Sequence, residues 1–276
     1  MSGLDAEAAS FVAKLEQAYP EFRIVAPLLR RRAVSLLAFE GIAHELTQAT
    51  FHLPDATVAA SKLQWWREEF ARHAAGEARH PLVRSLGPVA CGRLEPTVFD
   101  VLIGMAQQLR DAAPASDFVA QCRQITPAFA AIERLRVTML GSAEQSVSVQ
   151  ADLAAATYLL RVLARLPLAQ EEMLGSAISM QLLARYQLSR SELAVAGATR
   201  DTVVRAQVAA IADRLAELGP MVDASATWLA KVRWWCECWR ARPLGSGDPF
   251  AVLWARLQQA PWNIAWKAWR AQRRES

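Results

Sequence analysis

Histidine and cysteine are scarce in this chain of 276 residues, with four of each. The cysteines Cys91, Cys122, Cys236 and Cys238 form no C-x-x-C pair, and the C-x-C step at Cys236 and Cys238 lacks the further ligands that a zinc site needs at suitable spacing. His44, His52, His73 and His80 lie far from it in sequence, so free thiols in a reducing compartment are expected. Strand signals are nearly absent. No sustained alternation of β-branched residues and no Asn-Gly turn occurs, which argues against a hairpin-built sheet. No stretch approaches about 18 consecutive apolar residues free of charge, so no membrane-spanning helix is expected. The opening MSGLDAEAASFVAKLEQ carries acids and no apolar run, so no secretory leader is expected and the cytoplasm is the expected compartment. Nor does one sign of charge dominate. Lys and Arg number 31 against 27 Asp and Glu, a net +4 that implies no nucleic-acid partner.

What is present is a core and a helical rhythm. Hydrophobic residues make up 53% and charged residues 21%, enough to bury a sizeable interior and too apolar for disorder. Good helix formers fill most segments. Pro54, Pro81, Pro96, Pro114, Pro127, Gly141, Pro167, Gly197, Gly219-Pro220 and the run from Pro243 to Pro249 punctuate them. The expected helices are 5–18, 27–50, 55–76, 81–92, 96–111, 126–141, 147–166, 189–195, 201–218, 226–241, 248–258 and 261–273. Asp55 reads as an N-cap, Ser189 to Glu192 as a capping box, and Pro261 as a first-turn residue. There are no internal repeats and no low-complexity linkers, so one all-α domain over 1–276 is expected. Segment 147–166 is apolar nearly all round, the mark of a helix at the centre of a bundle, where ligands are held.

Four segments carry a resemblance. RRRAVSLLAFEGIAHE begins at Arg30. KLQWWREEF runs from Lys62 to Phe70, and a Gly and then His80-Pro81 follow. Residues 157–193 read TYLLRVLARLPLAQEEMLGSAISMQLLARYQLSRSEL, and GDPFAVLWARL runs from Gly247 to Leu257. In order and spacing they resemble squalene and phytoene synthases over about 20–270. The resemblance implies an isoprenoid-synthase-like helical bundle with a central cavity, and enzymes that join two prenyl diphosphates head to head. Ionising an allylic diphosphate needs Mg²⁺ held by carboxylates on facing helices, and spacings of three or four residues put those carboxylates on one helix face.

Those carboxylates are missing here. The first expected motif, D-D-x-x-D, falls on His44, Glu45, Leu46, Thr47 and Gln48, where only Glu45 is acidic. The second, R-D-x-x-x-D, falls on Arg161 to Leu166, where Val162 and Leu166 stand at the acid positions. Between Leu153 and Gln170 there is no Asp or Glu. The expected G-R-x-Y-L-P falls on Gly175 to Met180 and keeps only the glycine.

His44, Glu45, Gln48, Arg161 and Arg165 are therefore the cavity candidates for ligand binding, with no catalytic residue and no metal ligand assigned. Each has a plainer reading. Glu45 is a metal ligand or a salt-bridged helix residue, and His44 an acid–base group or a structural one. Arg161 and Arg165 hold an anion, or form a structural ion pair with an acid such as Glu40 or Glu133. Arg30 to Arg32 form a basic cluster against the helix macrodipole, either for an anionic partner or simply solvated. Trp65 and Trp66 are expected in the core. From residue 228 onward there are eight Trp and nine Lys or Arg against three acids, so this stretch carries +6 and the rest of the chain −2. Trp262, Trp266, Trp269 and Arg270 are candidates for contact with a membrane surface, at the inner face of a membrane. The plainer alternative is rings closing the core.

The expectation is a non-catalytic relative that binds an isoprenoid-type or other lipid, or a protein partner. The resemblance offers a precedent in an assembly factor of mitochondrial respiratory complex I. No cofactor is expected. The alternatives are an active prenyl-diphosphate transferase of divergent motif, which would need Mg²⁺, and a peripheral membrane scaffold.

Overall fold

The computed structural model describes residues 6–23, 26, 34–88, 97–141, 144–166, 177–225, 228–259, 261, 263–264, 266–267 and 269–270. Among them are eleven α-helices and no strand: α1 Ala6–Ala18, α2 Val34–Phe51, α3 Ala56–Ala74, α4 Pro81–Arg84, α5 Thr97–Asp111, α6 Phe118–Leu140, α7 Val147–Arg165, α8 Met180–Arg185, α9 Ala198–Ser225, α10 Trp228–Arg240 and α11 Pro249–Leu257. The all-helical expectation holds. The helices gather into two compact units, one of residues 1–112 with 127–151 and one of 113–126 with 152–276.

In the first unit α2 is the hub, packing against α1, α3, α4 and α5. That explains its long apolar composition, because Leu37 to Ile42, Leu46, Thr47, Ala49 and Thr50 are all buried. Gly41 lets α4 approach: a Cβ there would lie 2.9 Å from Leu82 Cδ1. Helix α3 starts where Asp55 caps it, its carboxylate accepting from the amides of Thr57 at 2.7 Å and Val58 at 3.2 Å. Trp66, Phe70 and Phe99 fill the space between α3 and α5. Each such ring contributes roughly 1.5–3 kcal/mol by leaving water.

In the second unit α9 is the long strut, with α8, α10 and α11 packed on it. Two expected breaks are not breaks. Helix α9 continues through Gly219 and Pro220, and α6 continues through Pro127. A helix-interior proline removes a donor and crowds the turn before it. In α9, Trp234 of the neighbouring helix packs beside that turn, its Nε1 donating to the Leu215 carbonyl at 2.7 Å. The indole lies so close that a Cβ on Gly219 would meet its Cζ2 at 2.7 Å. Helix α6 begins earlier than expected because Asp117 caps it, accepting from the Ala120 amide at 2.8 Å. Helix α8 was not expected at all. Its first amides, Met180 and Gln181, donate to the carbonyls of Ala115 and Ser116, so it needs no capping side chain of its own. The Ser189–Glu192 box forms as expected, opening a 3₁₀ turn over Ser191–Ala194.

Three arginines clamp the loop between α10 and α11. Arg205 donates to the carbonyls of Gly245 and Gly247. Arg256 donates to those of Arg240, Arg242 and Pro243. Arg200 pairs with Asp201 and reaches Asp248, the cap of α11, while lying over the Phe250 ring.

By length and composition Glu144–Arg165 qualifies as a membrane span, yet 67% of its apolar window is buried, as in a core helix.

Candidate functional site

His44, Glu45 and Gln48 lie together on α2 in the first unit, all half-buried. The Glu45 carboxylate is 2.9 Å from Lys62 Nζ on α3, so the one acid of the first motif is engaged by a cation. His44 meets Tyr19 edge-on, with ring centroids 5.5 Å apart.

The tryptophan motif has a structural task in the same unit. Glu69, fully buried, accepts from the amides of Arg79 and His80, both at 2.6 Å, and from Arg72 Nε at 2.8 Å. Burial pushes its carboxyl up, but the His80 amide, Arg72 and the Arg79 amide outweigh that and hold it below the usual carboxylate range. His80 in turn caps α4 through Nδ1, which accepts from the Leu82 amide at 3.3 Å. Its ring sits among Phe11, Trp65 and Trp66. Burial lowers its pKa, only partly opposed by Glu69 and Glu45, so His80 is neutral near pH 7. Trp66 is in the core as expected, whereas Trp65 is 42% exposed, because neighbours on a helix point about 100° apart.

A second cluster of the first unit was not anticipated as such. Arg136 on α6 holds Glu133 through two nitrogens, at 2.8 and 3.3 Å, and Glu40 through a third, and it lies over the Phe39 ring. All three charged groups are buried. Glu40 and Glu133, weighed above as partners of Arg161, thus belong with Arg136. The i,i+3 spacing of Glu133 and Arg136 was the available signal.

In the second unit, Arg161 of α7 pairs with Glu237 of α10, Nη2 to Oε1 at 3.4 Å. Arg240 shares the same oxygen at 2.6 Å. Glu237 and Arg240 are fully buried and Arg161 nearly so, while Glu237 Oε2 has no hydrogen-bond partner. One turn beyond Arg161, Arg165 is exposed. Val162 and Leu166 are buried, at 7% and 2% exposure.

The second unit also carries a half-open groove of about 470 Å³ between α6 and α9, with Phe118 and Val119 on one side. Three of its charged groups engage one another: Arg214 bridges Asp152 at 2.7 Å and Glu217 at 3.1 Å. Burial pushes its Cys122 thiol up to about 11, too high for a nucleophile at neutral pH. Of the C-terminal candidates, Trp266 and Arg270 are exposed, and Trp269 is half-buried and stacked on Trp266 at 4.9 Å. Trp262 lies outside the described residues.

Among solved structures the chain is similar to the squalene synthase HpnC from Alicyclobacillus acidocaldarius, with a TM-score of 0.57 over 91% of this chain and 93% of that one. The fold is that of a squalene synthase. At 15% identity the similarity speaks for the squalene/phytoene synthase-like fold alone. No family model matches the chain, and no curated protein matches it in sequence.

That fold implies a magnesium–diphosphate centre, and the described residues do not fit one. No three His, Cys, Asp or Glu among them are grouped to share an ion. Glu45 is bound to Lys62, and α7 offers no carboxylate after Asp152.

Proposed function

We propose that the chain is a non-catalytic protein on a squalene synthase-like fold, which binds an isoprenoid-type lipid or a protein partner in place of condensing prenyl diphosphates. The observation that supports this reading best is α7. Where the resemblance expects two aspartates, Val162 and Leu166 are buried apolar side chains. A metal-bound diphosphate would lack half its ligand set there, and the neighbouring Arg161 is turned to Glu237. Apolar side chains at those two positions suit a neutral hydrocarbon chain better than a charged leaving group.

Two measurements test the reading. Incubation with farnesyl or geranylgeranyl diphosphate and Mg²⁺ yields no condensed product, and native mass spectrometry of the purified chain shows a co-purifying isoprenoid or a bound protein. Product that forms with Mg²⁺ and disappears in Glu45→Ala, or tight Mg²⁺-dependent diphosphate binding, overturns it in favour of a divergent transferase.

A further inference from the structure

The end of the second unit presents indole rings to solvent beside cations. Trp266 is 58% exposed, and Trp269 stacks on it with planes 23° apart. Lys267 and Arg270 beside them are exposed, and Lys267 Nζ reaches back to 6.0 Å above the Trp235 ring of α10. Ile264 is buried at 3%, so the segment turns an apolar side chain inward while Trp266 faces out. Trp266 lies about 200° further round a helix from Ile264, on its outward side.

The charge pattern is one-sided. From Pro249 to Arg274 the sequence holds no Asp or Glu, while Arg256, Lys267, Arg270, Arg273 and Arg274 are basic. An ordinary solvated helix face mixes signs, because mixed charges keep it soluble without a field of one sign. An exposed indole stacked on a half-buried one and flanked by Lys and Arg, with no acid in 26 residues, matches one surface chemistry: an apolar boundary beneath anionic headgroups. Indoles settle at the headgroup level, and each basic residue adds attraction to a negative surface.

We propose that this face, built from Trp235, Trp266, Lys267, Trp269 and Arg270, docks the protein on an anionic lipid bilayer. The proposal stands apart from what the interior binds. Its test is co-sedimentation of the full chain with vesicles of phosphatidylcholine alone and with vesicles that also carry phosphatidylglycerol.

The expected result is binding to the anionic vesicles only, weakening as salt is raised. Each basic residue lost weakens binding about fivefold, so Lys267→Glu with Arg270→Glu lowers it by about 25-fold or more. Trp266→Ser with Trp269→Ser abolishes the blue shift of tryptophan emission on vesicle addition and weakens binding. Trp65→Ser, an exposed indole of the first unit, changes nothing. Helical circular dichroism is recorded for each variant, and only variants with the parent spectrum are compared. Equal binding to both vesicle types, parent-like binding by the charge-reversed variant, or no binding at all overturns the proposal, the last pointing to an acidic protein surface as the partner.

Discussion

The two units each bury a three-member ionic cluster, and the two clusters are opposite in composition. In the first, one arginine serves two acids, Glu40 and Glu133 around Arg136. In the second, one acid serves two arginines, Arg161 and Arg240 around Glu237. The guanidinium of Arg136 uses all three of its nitrogens, a planar fork matched to carboxylates. The carboxylate of Glu237 uses one oxygen twice and leaves the other without a partner. A buried pair contributes little net stability, but the loss of its shared member removes the ion pairs of both other charges at once. Each cluster therefore has one indispensable residue and two that duplicate each other.

The largest expected effect comes from breaking the clusters at their centres. Arg136→Met leaves two buried acids facing each other and costs about 3–5 kcal/mol in urea unfolding. Glu237→Gln costs less, about 2–4 kcal/mol, because glutamine keeps an oxygen that can still accept from both arginines. Removal of a duplicate, Glu133→Gln or Arg161→Met, costs about 1–2 kcal/mol. Equal costs for central and duplicate residues would erase the distinction.

A smaller effect sharpens the comparison at close approaches. Both units use a glycine where helices meet, Gly41 against Leu82 and Gly219 against Trp234. Gly219→Ala costs about 1–3 kcal/mol, since the indole is rigid and is held to the Leu215 carbonyl. Gly41→Ala costs about 1 kcal/mol or less, because the tip of a leucine can rotate aside. Thermal melts of the two variants check the order.

The smallest effect is a pH slope confined to the first unit. His80 titrates below its ordinary 6.5 in the fold because it is buried. As pH falls through 6.5 the unfolded chain takes up that proton first, so stability declines from there until the folded imidazole titrates as well. Urea midpoints between about pH 7 and about pH 5 show this decline, and His80→Asn, which keeps a short side chain for the cap, flattens it.

How much of this was legible in the sequence depends on where each signal resides. The helix class, the cap at Asp55, the Ser189–Glu192 box and the burial of 147–165 all come from local patterns, and they appear as expected. The continuation of α9 through Pro220 was not legible, because the residue packed against that turn, Trp234, comes from another helix. Helix α8 was hidden for the same reason, its first amides being satisfied by Ala115 and Ser116. At the candidate site, the lack of acids on α7 was plain. The engagement of Glu45 by Lys62 and of Arg161 by Glu237 was not, since partners 17 and 76 residues away leave no mark in a local pattern.

The loop from Ala241 to Asp248 illustrates a practical consequence. Its Gly, Pro and Ser content would recommend it for grafting a tag or opening new chain termini. With guanidinium groups bound to the carbonyls of Arg242, Pro243, Gly245 and Gly247, its backbone is part of the framework, and an inserted peptide would unseat α10 from α11. The turn at Gly76, by contrast, is exposed and has open space around its α-carbon, so a peptide inserted there would meet no neighbouring side chain.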